Sequence, residues 1–246
     1  MSDMTRRDML QSAAILAAAG MLPATAKAGD NKKLKILIAG AHPDDPESSS
    51  GGTMALYADA GHEVVALYLT RGEAGIRGKS HEEAAKIRSA EAEASCKILG
   101  ARPVFLTQID GATEINTGRY DEAWKVIKDE RPDILITHWP IDSHRDHRVI
   151  SMLMYDAWLH AKKKFELFYF EVEAGQQTQH FAPTHYVDIT TTEDRKRKAC
   201  YAHPSQDAEK GFYVLHDEMN RFRGQEAGVD HAEAFIRHSQ SSRGLL

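Results

Sequence analysis

Two short segments of the chain concentrate imidazole and carboxylate side chains. The first is His42-Pro43-Asp44-Asp45, and the second runs from His138 to His147 with the sequence HWPIDSHRDH. Histidine nitrogens and carboxylate oxygens are common ligands of Zn²⁺, which in catalytic sites keeps three protein ligands and one open position. Together the two segments predict a catalytic metal centre, provided that the fold brings them to one cleft.

The residue types suggest a role for each member of such a centre. His42, Asp45 and His147 would supply the three ligands. Zn²⁺ suits this set of nitrogen and oxygen donors without thiolates, and Fe²⁺ or another divalent ion would fit similarly. Asp44 would remain beside the metal as a general base. His144 precedes His147 by three residues, so both can face one side of a helical turn, where His144 could stabilise an oxyanion.

Either segment alone also has an ordinary structural explanation. Asp and Pro are common turn residues, and Asp45 could simply be the N-cap of a helix. The catalytic interpretation therefore depends on both segments following strands of the same sheet.

The same segments closely resemble the motifs of a known enzyme family. Ala41-His42-Pro43-Asp44-Asp45 and His144-Arg145-Asp146-His147-Arg148 resemble those of the PIG-L/LmbE-like zinc-dependent de-N-acetylases, which remove acetyl groups from N-acetylglucosamine-type sugars. The resemblance extends from about Lys35 to Phe235. It includes three further matches, which are Thr70-Arg71-Gly72-Glu73, Ala202-His203-Pro204-Ser205-Gln206 and Glu233-Ala234-Phe235.

The resemblance implies a role for each matching residue. It makes His42, Asp45 and His147 metal ligands, Asp44 the general base and His144 the oxyanion-stabilising residue, in agreement with the chemistry of the residue types. It also makes Arg71, in the Arg-Gly-Glu loop, a candidate substrate-binding residue. The alternative for this residue is an ordinary loop arginine.

One position departs from the family pattern. Where the family usually has Asp-Asp-Glu, this chain has Asp45-Pro46-Glu47, so the acidic residue moves on by one. The metal ligands are unaffected, but a family role for the glutamate does not transfer directly. Glu47 could simply lie in the first turn of the next helix, where negative charge is favourable.

Apolar runs alternate with helical patterns along the chain. Strands are predicted at 34–39, 64–69, 104–106, 133–137, 167–170 and 185–189, and helices at 50–60, 82–99, 121–130, 147–163, 192–201 and 208–223. Such alternation is typical of βαβ units and a mostly parallel sheet. We therefore expect a single Rossmann-like, doubly wound α/β domain over residues 29–246. Ligands bind beyond the carboxyl ends of the strands in such sheets, and the two polar segments follow the first and fourth predicted strands.

The first 28 residues have the pattern of an export signal. Arg6 and Arg7 precede an uncharged, alanine-rich run that ends at Ala26-Lys27-Ala28, as in a signal peptide with a cleavage site. The paired arginines resemble a twin-arginine signal, which implies export of a folded protein to the periplasm or beyond. The alternative is an uncleaved anchor, but Pro23 interrupts the run and leaves it short of the roughly 20 strongly apolar residues of a membrane span.

Composition limits the remaining function classes. The chain has 246 residues, 42% of them hydrophobic, and a formal net charge of −5. It can bury a core, and it lacks the broad basic field expected of a protein that mainly binds nucleic acid. Cys96 and Cys200 are the two cysteines, so a cysteine-based zinc module is excluded, and two free buried thiols are expected rather than a disulfide.

The sequence therefore predicts a zinc-dependent de-N-acetylase that acts on an acetamido sugar and has no stable membrane span after cleavage. Two alternatives stay open, which are an exported sugar- or metal-binding protein without turnover and an amidase or esterase acting on another metabolite. Specificity would depend on loops such as 74–80 and 111–119. A homo-oligomer is possible.

Overall fold

Alternating short strands and helices build one layered unit in the computed structural model, which describes residues 32–241. The strands are β1 (Lys35–Gly40), β2 (Glu63–Tyr68), β3 (Arg102–Phe105), β4 (Ile134–His138), β5 (Glu166–Phe170), β6 (His185–Asp188) and β7 (Ala232–Arg237). The α-helices are α1 (Asp45–Asp59), α2 (His81–Leu99), α3 (Thr117–Glu130), α4 (Arg145–His160), α5 (Glu193–Tyr201) and α6 (Phe212–Ala227). A 3₁₀ turn spans Pro204–Gln206. The predicted signal segment, residues 1–28, lies outside the described residues.

The strands form one seven-stranded sheet in the order β3-β2-β1-β4-β5-β7-β6. Strands β1 to β5 pair in parallel, while β7 is antiparallel to both β5 and β6. The predicted Rossmann-like, mostly parallel α/β domain is confirmed. Strand β7 was not predicted, and α1 begins at Asp45 rather than near Ser50.

Both faces of the sheet are buried, as expected for parallel strands covered by helices. Alternate residues of β1 belong to different cores: Ile36 and Ile38 pack with residues of α1 and α2, and Leu37 and Ala39 pack with residues of α3 and α4. Cys96 and Cys200 are free and buried, as predicted. Among the described residues, no helix is both long and apolar enough to cross a membrane.

Strand β1 lies between β2 and β4 in the sheet, so the strand order reverses direction at β1. The carboxyl ends of β1 and β4 therefore flank a switch point in strand order, where open α/β sheets bind ligands. Both predicted polar segments begin at these two strand ends.

Candidate functional site

A tight turn after β1 places Asp44 and Asp45 at the start of α1. Asp44 has φ 117°, a left-handed conformation that is uncommon for a residue other than glycine. The turn closes on itself, because the backbone N–H of His42 donates to Asp45 Oδ2 at 2.7 Å. Pro46 fits here because it occupies the first turn of α1, where its missing N–H is not needed. A Cβ at Gly40 would lie 2.6 Å from Pro46 Cδ, so the strand end requires glycine.

The second segment forms the start of α4. His144 is the N-cap residue, and its Nδ1 accepts the backbone N–H of Asp146 at 3.3 Å. An imidazole nitrogen that accepts a hydrogen bond carries no proton, so the proton of neutral His144 lies on Nε2. Burial lowers the pKa of His144 and keeps the ring neutral. His144 is therefore arranged as an Nε2–H donor at the edge of the cavity.

The predicted ligands converge on Asp45. His42 Nδ1 lies 3.4 Å from Asp45 Oδ2, and His147 Nε2 lies 3.5 Å from Asp45 Oδ1. The rings of His42 and His147 have centroids 5.4 Å apart. Within the described part of the chain, three groups of donor atoms could hold a metal ion: His42 with His144 and His147, Asp45 with His138 and His147, and His42 with Asp110 and Asp146. The three predicted ligands are divided between these overlapping groups and do not form one of them. These donor atoms fit a divalent cation with nitrogen and oxygen ligands.

His138 is a further histidine in this cluster. Its Nε2 lies 3.2 Å from Asp45 Oδ2 and also 3.2 Å from the backbone nitrogen of Ala41, which donates to it. Burial and the neighbouring His147 lower the pKa of His138 to about 4. Since this nitrogen already accepts a backbone N–H, it carries no proton and its lone pair is occupied, so the geometry favours His42 as the third ligand.

The far side of the His42 ring faces two carboxylates. Its Nε2 lies 3.2 Å from Asp110 Oδ1 and 3.3 Å from Asp146 Oδ2. Asp146 also accepts hydrogen bonds from Gly111 N at 2.8 Å and Thr113 Oγ1 at 2.6 Å. An acceptor at Nε2 leaves Nδ1 as the nitrogen with a free lone pair, which is the nitrogen that faces Asp45.

A buried arginine from α2 pairs with Asp44. Arg88 Nη2 donates to Asp44 Oδ2 at 2.6 Å and also to the carbonyl oxygen of Pro43. Burial raises the pKa of Asp44 to about 6, while the Arg88 guanidinium opposes that rise. Space for the guanidinium depends on Gly72, where a Cβ would lie 2.5 Å from Arg88.

These groups line one cavity of about 490 Å³. The lining includes many charged and imidazole groups, which are His42, Asp44, Asp45, Arg88, Asp110, His144, His147, Glu173 and His216. It also includes Val172, Gln177, Gln206 and Phe212. Arg71 is not part of this lining. Its exposed side chain donates to Ser89 Oγ at 3.1 Å and lies over the Phe105 ring at 4.4 Å, so the structure gives its predicted substrate-binding role no geometric support.

About half of the chain matches a known protein family. The profile of the family described as GlcNAc-PI de-N-acetylase, PIG-L, matches residues 37–158, which include both polar segments. Over these residues the chain is a member of the PIG-L family.

Individual relatives agree with this assignment. A Rhodococcus erythropolis protein named 1D-myo-inositol 2-acetamido-2-deoxy-alpha-D-glucopyranoside deacetylase is 32% identical over 143 residues, which are 46% of this chain and 49% of the relative. The chain thus spans about half the length of that curated relative.

Solved structures show how far the fold extends. The N,N'-diacetylchitobiose deacetylase of Pyrococcus horikoshii matches with a TM-score of 0.75 and 22% identity, covering 97% of this chain and 94% of that chain. The 4-carboxy-2-hydroxymuconate hydratase of Pseudomonas putida matches with a TM-score of 0.74 and 20% identity, covering 87% of this chain and 100% of that chain. Such distant matches establish the fold, and because a hydratase shares it, the reaction must be argued from the site.

The departure from the PIG-L pattern at Pro46 has a structural consequence. Glu47 lies in the first turn of α1, as the alternative from the sequence predicted, but it is completely buried. Its Oε1 accepts the Tyr68 hydroxyl at 2.6 Å and lies 3.3 Å from His203 Nε2. Glu47 and His203 therefore form a buried support below the turn and are absent from the cavity lining.

Sequence reasoning missed three of the groups that complete the site. Arg88 lies within a helix of ordinary charged pattern, and Asp110 follows a short strand in a loop. Asp142 stands inside the quoted second segment, yet nothing in its residue type distinguished it from a turn aspartate. For Asp110 and Asp142, the available signal was position after the carboxyl end of a strand.

Proposed function

We propose that this protein is a metal-dependent deacetylase that hydrolyses the N-acetyl group of an N-acetylglucosamine-type sugar or glycoconjugate. The observation that carries the proposal is the Asp44 carboxylate, which lines the same cavity as the three predicted ligands His42, Asp45 and His147. A site that only bound metal or sugar would not need a carboxylate in that place. The deacetylase name of the Rhodococcus relative supports the same reaction class.

His42, Asp45 and His147 would hold the metal. Zn²⁺ is the expected ion, and Fe²⁺ would suit the same donors. When bound, the metal would polarise the acetyl carbonyl and make water more acidic. His42 is oriented by the carboxylates at its Nε2, and Asp45 by the backbone N–H of His42.

Asp44 and His144 would carry out the proton transfer and charge stabilisation. The Asp44 carboxylate accepts a proton from the attacking water, and the oxygen of that water forms a bond to the acetyl carbon. The Nε2–H of His144 donates to the oxyanion of the tetrahedral intermediate. Protonated Asp44 then gives its proton to the nitrogen as the carbon–nitrogen bond breaks, which yields acetate and a free amino sugar.

Acetate release from a defined panel tests the proposal. The full chain is stripped with a chelator, reloaded with Zn²⁺ or Fe²⁺, and offered N-acetylglucosamine glycosides, their oligomers, an acetanilide and an acetate ester. We expect metal-dependent acetate release from the acetamido sugars, and its loss in His42→Ala. His160→Ala is the matched control, because His160 lies on the surface at the end of α4.

Other results of the acetate-release assay would indicate an alternative function. Release from the ester or anilide alone would identify an esterase or a different amidase. Sugar binding without acetate release under any metal would identify a binding protein and would refute the proposal.

A further inference from the structure

The loop after β5 touches the metal-ligand region through one buried hydroxyl. Thr178 is 2% exposed, and its Oγ1 lies 3.0 Å from Asp142 Oδ2. The same Oγ1 accepts the backbone N–H of Val172 at 3.0 Å. Because one lone pair of the oxygen receives that N–H, the hydroxyl proton is available to the carboxylate, and the hydrogen bond from Thr178 to Asp142 has a fixed direction.

Asp142 also contacts two histidines of the second segment, His144 and His147. Its Oδ1 accepts the backbone N–H of His144 at 2.7 Å and lies 3.2 Å from His147 Nδ1. His147 Nδ1 and Asp142 Oδ1 are not aligned as a hydrogen bond. The negative charge of the buried carboxylate at this distance nevertheless favours the tautomer of His147 that carries its proton on Nδ1. His147 Nε2 then has its lone pair free on the side that faces Asp45.

The loop that carries Thr178 also contributes to the lining of the cavity. Val172, Glu173 and Gln177 line the cavity. Two backbone hydrogen bonds fasten the loop to the second segment, one from Ser143 N to Gln177 O and one from Gln179 N to Ile141 O, both 3.0 Å long. The wall of the cavity and the ligand histidine are therefore joined through Thr178 and Asp142.

We propose that Thr178 is a positioning residue that orients the ligand His147 through Asp142 and so couples the substrate-facing wall to the metal site. The proposal rests on the proposed function, since it takes His147 as a ligand. Partners that orient metal ligands typically contribute about 10- to 100-fold to metal affinity.

Metal affinity of the full chain, measured by competition with a chromophoric Zn²⁺ chelator, tests this role. Thr178→Val keeps the side-chain volume and removes the hydroxyl, and we expect the Zn²⁺ dissociation constant to rise about tenfold. Thr178→Ser restores the hydroxyl and should restore the affinity. Thr192→Val is the matched control, because Thr192 Oγ1 is also buried and bonds Gly52 O at 3.0 Å, away from Asp142.

A double-mutant cycle with Asp142→Asn separates positioning from general destabilisation. If Thr178 acts through Asp142, the loss caused by Thr178→Val should largely disappear in the Asp142→Asn background, because the two effects are then coupled. A Thr178→Val protein that binds Zn²⁺ as tightly as the wild type, or an undiminished loss in the Asp142→Asn background, would overturn the proposal. If Thr178→Val does not fold, Thr178→Ala enters the same cycle.

The outcome for the wild type distinguishes the two proposals. A wild-type chain that binds no metal removes the proposed function and the positioning role together. A wild-type chain that binds Zn²⁺ tightly, with all Thr178 variants equal to it, overturns the positioning role alone.

Discussion

Asp44 owes its chemistry to neighbours that are distant in sequence. Asp44 has a left-handed backbone conformation, which is strained for a residue other than glycine and is found mostly at functional sites. Its carboxylate lines the cavity and accepts a hydrogen bond from Arg88 of α2. The residue types and spacing of the two segments predicted the candidate ligands and base. Arg88 could not be predicted, because a charged residue in a long amphipathic helix ordinarily faces solvent, and only the packing of α2 against the turn buries it.

The guanidinium of Arg88 should set the pH range over which Asp44 can act as a base. Burial raises the pKa of Asp44 to about 6, and the nearby positive charge limits that rise. Removing the charge in Arg88→Met should raise the pKa further, so the acidic limb of kcat/KM should move to higher pH. The measurement is the pH profile of acetate release at fixed metal loading.

The control for this prediction is Arg221→Met, because Arg221 pairs with Asp217 on the exposed face of α6. Its profile should coincide with that of the wild type. An Arg88→Met profile with an unmoved or lowered acidic limb would contradict the assigned influence of Arg88 on Asp44.

At the scale of elements, the C-terminal strand holds the helix that carries the site. Glu233 of β7 accepts the backbone N–H groups of Gly52 and Thr53 in α1 at 2.9 and 2.8 Å. Lys196 of α5 is completely buried and lies 2.7 Å from Glu233 Oε1. A Cβ at Gly52 would lie 2.5 Å from Ile189, so the close packing of α1 against Ile189 requires glycine at this position.

Breaking this buried ion pair should destabilise the fold strongly. Lys196→Met leaves the Glu233 carboxylate buried without its cation, and removal of one partner of such a pair typically costs about 3–5 kcal/mol. Urea unfolding followed by circular dichroism measures the loss. Adding Glu233→Gln to Lys196→Met should recover part of it, since the uncompensated charge is then gone. Equal stability of wild type and Lys196→Met would show that the pair does not anchor α1.

The same region explains which elements the sequence could not predict. The first turns of α1 contain Glu47 and a run of serines, a composition that favours a loop, yet every residue from Asp45 to Ala55 is buried. Glu47 has a tertiary partner in the Tyr68 hydroxyl, which no local pattern records. Strand β7 pairs with two strands far away in the sequence, and so its short run gave no local signal.

At the scale of the whole molecule, the order of strands and helices was predictable because both sheet faces are buried and the strands are continuous apolar runs. The position of β7, antiparallel between β5 and β6, was not predictable, because the order of strands in a sheet depends on pairing between distant segments.

The export signal predicted from the sequence lies before the described residues. We propose that residues 1–28 are a twin-arginine signal, so that Arg6→Lys combined with Arg7→Lys should retain precursor inside the cell. Fractionation and N-terminal sequencing provide the measurement, with Lys27→Arg as a charge-conserving control. A functional cytoplasmic form that retains residues 1–28 would contradict the proposal.

The central claim is that Asp44 is the base and Asp45 a ligand, although they are neighbours. Zn²⁺ stoichiometry and acetate release, measured together on Asp44→Asn and Asp45→Ala, test it most directly. Asp44→Asn is nearly isosteric, so it should keep its metal and lose about 10²- to 10⁴-fold in turnover, whereas Asp45→Ala should lose metal and activity together. Near wild-type turnover in Asp44→Asn would place the base elsewhere, and loss of Zn²⁺ in that variant would make Asp44 a ligand.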